Sequence, residues 1–157
     1  MLHKLFFVLG FLWCFPVSFL AWLWLIGMRL TGQISRVIFR EDLSFIWDVN
    51  EKSKFYKKME GWYGFTIGNN IICADRAKRS PKLMVHETAH VYQNYILGVF
   101  FFPVYIVVSI YMYLFIPNSH PYIDNFLEKS ARKFAGQDET IFKGRREIYM
   151  KDRWPWW

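Results

Sequence analysis

Charge is missing from two long stretches of this sequence. No Asp, Glu, Lys or Arg occurs in residues 5–28, and none occurs in residues 96–119. Each run reaches the roughly 20 residues that a helix needs to cross a bilayer. The absence excludes an ordinary soluble domain, whose charges are scattered along its whole length. The chain is expected to span a membrane or to be bound to one.

Cysteine is scarce as well. Cys14 lies inside the first apolar run and Cys73 lies in a distant polar segment. Neither has a partner at metal-ligand spacing, so a disulfide scaffold and a cysteine-ligated zinc site are both excluded, and both residues read as structural. No small-x-small cleavage signature follows the first run, which also carries Trp13, Trp22 and Trp24. It therefore reads as an uncleaved spanning helix rather than a signal peptide, with Pro16 as a point of kinking. There is no internal repeat and no low-complexity linker. No basic helix, zinc finger or aromatic-interleaved strand is present to make a nucleic-acid partner of the +7 net charge. A basic face against anionic headgroups accounts for it, so membrane lipid is the expected partner.

The 157 residues suit one domain, and 54% of them are hydrophobic. Lys4 precedes the first run, while Arg29, Arg36 and Arg40 follow it. The positive-inside tendency then places the C-terminal bulk in the cytoplasm, behind an inner or plasma membrane. Residues 36–47, RVIFREDLSFIW, read as one strand or a short helix. Thr66-Ile67-Gly68 and Ile71-Ile72-Cys73 flank a Gly-Asn-Asn turn and read as a hairpin. Ser80 followed by Pro81 opens a helix expected over 81–97. A second helix is expected over 122–136, with Gly136 as its stop, and a third over 138–150. The tail RWPWW, 153–157, reads as an interfacial anchor or a packed end.

The 81–97 helix contains His86-Glu87-Thr88-Ala89-His90. Each helical residue turns about 100°, so side chains four apart lie within about 40° of each other. Two imidazoles at that spacing can reach one tetrahedral zinc ion. Glu87, beside the first of them, is placed to act as a general base on water without ligating the metal. The plain alternative is an ordinary helix with two histidines. A catalytic zinc site needs a third protein ligand. Gln93 stands where an HExxHxxGxxH extension would have glycine, so that solution is absent. The later segment NFLEKSARKFAG offers Glu128, with Ala131 small enough for close packing on the histidine helix. Against this, Glu128 could be a solvated residue paired with Arg132 at i+4.

Three short patterns occur in order: Thr66-x-Gly68, then His86-Glu87-x-x-His90-x-x-Gln93, then Asn125-x-x-Glu128-x-x-Ala131. This order resembles the compact glutamate-zincin domains of phages, bacteria and contractile-injection gene clusters, over about residues 62–136, roughly half the chain. The resemblance implies an α+β, minimal zincin-like fold with a strand above the active-site helix. It implies His86, His90 and Glu128 as zinc ligands and Glu87 as the base of a peptidase. The substrate would be a peptide or protein, laid along the strand at Thr66 and Gly68. His120 and Tyr122 precede the glutamate helix and are candidate oxyanion donors, with ordinary loop residues as the plainer reading. Two other functions stay open: a non-catalytic interaction protein on the same fold, and a small lysis-type membrane protein.

The expected organisation is a membrane anchor over 1–30 and a zincin-like domain over 31–157 with an apolar insertion at 96–117. One conflict follows. If 96–117 crossed the bilayer once, His86 and Glu128 would lie on opposite faces. Lys82, Lys129 and Arg132 argue against a site deep in the membrane. The segment is therefore expected to be re-entrant or interfacial, broken at Pro103.

Overall fold

The computed structural model describes residues 2–59, 63–74, 80–117 and 119–137. The expected 138–150 helix and the aromatic tail lie outside these residues. The described chain is α+β. Helix α1 (Leu2–Leu30) leads into strands β1 (Ile34–Phe39) and β2 (Phe45–Val49) and the short helix α2 (Lys54–Lys58). Strands β3 (Gly64–Ile67) and β4 (Asn70–Cys73) follow, then helices α3 (Pro81–Leu97), α4 (Phe101–Phe115) and α5 (Phe126–Phe134). The four strands form one sheet in the order β1-β2-β4-β3, with β2 and β4 parallel and the other pairs antiparallel.

The 36–47 stretch forms two strands rather than one element. Its turn has neither glycine nor proline. Asp42 supplies the turn chemistry instead: its Oδ1 accepts from the backbone N–H of Ser44, and Arg40 N donates to Ser44 O at 2.9 Å. Leu43 takes the left-handed φ of 61° that this tight reversal requires.

Helix α1 is built the opposite way from a soluble amphipathic helix. Its inward stripe is largely small: Gly10, Cys14, Ser18 and Ala21 are buried between Phe7 and Leu25. Its outward residues, among them Leu9, Leu12, Leu20 and Leu23, are large and exposed. Small-inside, large-outside is how helices pack where the surroundings are as apolar as leucine. The inward stripe fits closely. A Cβ on Gly10 would fall 2.5 Å from Tyr95 Cβ, and the backbone N–H of Asn69 donates to Ser18 Oγ at 3.1 Å. The helix continues through Pro16 without interruption. Ala21, Leu25 and Met28 share a core with Trp47, Val49 and Ile72, and Phe7 and Cys14 share another with Ile71, Val91 and Tyr95. The anchor segment is thus packed into the same unit as the sheet and α3.

Helix α3 covers the expected 81–97. Ser80 Oγ accepts from Leu83 N at 3.1 Å, and Pro81 takes the first turn, where its missing N–H costs nothing. The break in the following apolar run is at Gly98, not at Pro103. Gly98 has φ +56°, and Trp13 of α1 occupies the space a Cβ would need, 2.4 Å away. Pro103 lies in the first turn of α4, where no helical hydrogen bond is lost.

Helix α4 has 15 residues, about 22 Å by the helical rise, short of a hydrocarbon core of about 30 Å. The chain then retraces it. Ser119 Oγ donates to Met112 O at 2.6 Å, Ser109 Oγ to Pro121 O at 3.2 Å, and Asn125 Nδ2 to Ser109 Oγ at 3.0 Å. The chain after the apolar segment therefore returns beside α4 toward its start, and Asn125 reaches Tyr105 O. By length and composition the described residues hold two helical stretches long and apolar enough to cross a membrane, Lys4–Leu30 and Pro81–Phe115, the second broken at Gly98.

Helix α5 begins at Phe126, four residues later than the expected 122. Residues before it are spent on a turn in which Asp124 N donates to His120 O and His120 N donates to Asp124 Oδ2, both at 2.8 Å. Asn125 caps the helix through its Oδ1, which accepts from Leu127 N. Gly136 ends it at φ +58°: Gly136 N donates to Lys133 O and Gln137 N to Arg132 O.

Candidate metal centre

Helices α3 and α5 pack antiparallel, and two of their side-chain contacts show the alignment. Lys82 at the start of α3 donates to Gly136 O at the end of α5, and Gln93 donates to Leu127 O near its start. Ala131, fully buried, is the small residue that fills this seam. The packing carries Glu128 to the two histidines of α3.

Glu128 Oε2 lies 3.4 Å from His86 Nε2, and Oε1 lies 3.4 Å from His90 Nε2. The two Nε2 atoms are 3.1 Å apart. A tetrahedral zinc ion with bonds of about 2.0–2.1 Å sets its ligand atoms about 3.4 Å from one another. Each imidazole nitrogen thus faces a different oxygen of the one carboxylate, one ligand atom from each residue lies within 4.8 Å of the others, and the residues present fit a metal ion. All three side chains are buried, and so is Glu87. Burial by itself would raise the pKa of Glu128. The His86 and His90 imidazoles facing it outweigh that and hold the carboxyl well below the usual range, so it stays an anionic donor.

Gln93 fixes the state of His90. Its Oε1, which can only accept, lies 2.8 Å from His90 Nδ1. Its Nε2 donates to Leu127 O at 2.9 Å and to Ser130 Oγ at 2.8 Å, which sets the amide's direction. The Nδ1 therefore carries a proton, which leaves Nε2 as the ring atom that faces the ligand position. Two further groups address Glu128. Tyr105 of α4 donates from its hydroxyl to Oε1 at 2.9 Å. Arg132 Nη1 lies 3.9 Å from Oε2. The i+4 pair is therefore present, but it is buried rather than solvated: Glu128 is 4% and Arg132 2% exposed. Lys129 leaves the site and pairs with Asp124 at 3.1 Å.

Glu87 is held from the sheet. Thr66 Oγ1 on β3 lies 2.8 Å from Glu87 Oε2, and β3 is the outer strand of the sheet on this side. Gly68 is past the end of β3, in the hairpin turn, at φ +60° and pressed against Ser18 of α1. Its place is explained by that turn and that approach. His120 serves its own loop, since Nδ1 accepts from the backbone N–H groups of Tyr122 and Ile123. Tyr122 is 44% exposed overall. Burial, reinforced by the Glu128 and Glu87 carboxylates, pushes its pKa up.

One contributor escapes sequence reasoning, and a second is marked only by its place in the pattern His90-x-x-Gln93. Tyr105 sits in an apolar run that reads as membrane segment, with nothing to mark its hydroxyl as a partner of Glu128. Gln93, three residues after His90 and so on the same helical face, carries a signal in its spacing alone.

No protein-family model matches this chain, and no curated protein or solved structure matches it either.

Proposed function

We propose that this protein is a membrane-associated, zinc-dependent peptidase of the zincin type. The observation that carries the reading is the meeting of buried His86, His90 and Glu128 within reach of one ion, with Glu87 on the same helical turn as the histidines. A bound zinc ion would act as a Lewis acid toward water and toward a carbonyl oxygen. Two imidazoles and one carboxylate, with no thiolate, suit zinc among the divalent metals.

The protein's own part is holding groups and moving a proton. Glu87 takes the proton of the attacking water and returns it to the leaving amine. Thr66 engages Oε2 of that carboxylate, so Oε1 is assigned to the transfer. The outer edge of β3 offers backbone groups to an extended peptide, which would then lie across Glu87. Of the two expected oxyanion donors, Tyr122 is the one assigned here, because His120 Nδ1 is spent on its own loop.

The membrane part rests on the outward large residues of α1 and on the poorly covered α4. The two surfaces join where Trp13 meets Phe100, with ring centroids 6.2 Å apart. With residues 119–125 running back beside α4, the site sits at the base of a lipid-facing hairpin. With Lys4 before the apolar run 5–28 and Arg29, Arg36 and Arg40 after it, the positive-inside tendency favours the cytoplasmic side for the site.

Glu87→Gln is the direct test of catalysis. The expected result is a loss of about 10²–10⁴-fold in peptide hydrolysis, with zinc content and thermal stability unchanged. Hydrolysis at the wild-type rate in this variant would overturn the assignment of the base.

A further inference from the structure

We infer that Tyr105 is a positioning residue of the metal centre, holding Glu128 as a one-oxygen ligand and making α4 part of the site. The inference rests on the metal reading above.

Glu128 offers two oxygens where a four-coordinate ion with three protein ligands takes one. Each oxygen already faces one imidazole at 3.4 Å. A carboxylate left to itself between two such rings can swing or bind through both oxygens. Here the Tyr105 hydroxyl donates to Oε1 at 2.9 Å, and a lone pair occupied by a proton donor is a poorer metal donor. Oε2 makes no hydrogen bond among the described residues. The arrangement therefore assigns Oε2 to the ion and Oε1 to Tyr105.

The seat of Tyr105 is itself fixed. Its carbonyl accepts from Asn125 Nδ2 at 3.3 Å, and Ser109, one turn on, accepts from the same amide at 3.0 Å. Asn125 in turn caps the helix that carries Glu128. The Tyr105 ring also packs on Phe101, whose ring lies 6.1 Å from that of His90. One residue of the apolar hairpin thus touches the structure around two of the three ligands. Hydropathy marks α4 as a membrane element, whereas its contacts make it the wall of the metal site.

The experiment loads the detergent-purified full chain with cobalt(II) and compares the wild type with Tyr105→Phe and Tyr113→Phe. Tyr113 is 65% exposed near the far end of α4 and serves as the control. The wild type and Tyr113→Phe should give the intense visible absorption of four-coordinate cobalt. Tyr105→Phe should give the weaker absorption of a higher coordination number, as Glu128 binds through both oxygens. Its zinc affinity by chelator competition should fall about 10–100-fold. A cobalt spectrum and affinity in Tyr105→Phe equal to wild type would overturn the inference. Absence of cobalt binding by wild type would overturn the metal reading itself, a different result. Infrared difference spectra of the unmutated protein, zinc-loaded minus zinc-free, give an independent measure that survives a poorly folding variant. A wide separation of the carboxylate stretches is expected for one-oxygen ligation, and a narrow separation contradicts it.

Discussion

Gln93 accepts the Nδ1 proton of His90 at 2.8 Å, and its own amide donates across the seam to Leu127 O. One side chain therefore sets the tautomer of a ligand and ties α3 to the helix that brings Glu128. Gln93→Ala should lower zinc affinity about 10–100-fold while leaving the fold assembled. Competition with a chromogenic chelator measures the loss, and unchanged affinity would show that His90 needs no such partner.

Two glycines separate backbone need from helix preference. Gly98 combines φ +56° with Trp13 at 2.4 Å from any added Cβ, whereas nothing lies within 4 Å of a Cβ on Gly27. Gly98→Ala should destabilise the protein by at least about 1–3 kcal/mol. Gly27→Ala, inside α1, should stabilise it by about 0.5–1 kcal/mol. Thermal unfolding of both variants in one detergent checks the contrast in sign.

The hairpin made by α4 and residues 119–125 gives a topological prediction. Cysteines introduced at Lys82 and at Lys129 should react with an impermeant thiol reagent from the same side of sealed vesicles. Native Cys14 and Cys73 are buried and give little background. Labelling from opposite sides would mean that the segment crosses the bilayer and that Glu128 is remote from the histidines.

The parts of this fold that are local in origin could be read from the residues. The Ser80–Pro81 start of α3, the turn at Gly68-Asn69 and the glycine stop at Gly136 are each determined by backbone chemistry within a few positions. The spacing of His86 and His90 likewise follows from the helical turn. What escaped was long-range or concealed by composition. The Asp42–Ser44 turn lacks the usual glycine or proline, so 36–47 read as one element. Pro103 looked like the break, yet a proline in a helix's first turn breaks nothing, and the kink belongs to Gly98 because Trp13 must fit there. The close packing of α1 on the sheet depends on contacts between residues far apart in sequence, such as Ser18 with Asn69, 51 positions on. Tyr105 was hidden because a hydroxyl inside an apolar run has no periodic signature.

Arg132 tests whether the buried environment of Glu128 is electrostatically balanced. It is 2% exposed and lies 3.9 Å from Glu128 Oε2, with a further bond to Ile123 O. Arg132→Met should destabilise the metal-free protein by about 3–5 kcal/mol, as expected when one member of a buried charged pair is removed. Excess zinc should recover much of that stability through mass action. Unfolding curves with and without zinc measure both effects, and an unchanged metal-free curve would mean that Arg132 is not needed to balance Glu128.

The central claim is that His86, His90 and Glu128 hold one ion together. Zinc content of the detergent-purified protein, wild type beside Glu128→Ala, tests it most directly. About one zinc per chain in the wild type, lost in the variant, is the predicted result. Zinc retained in Glu128→Ala, or absent from both proteins, would contradict the account.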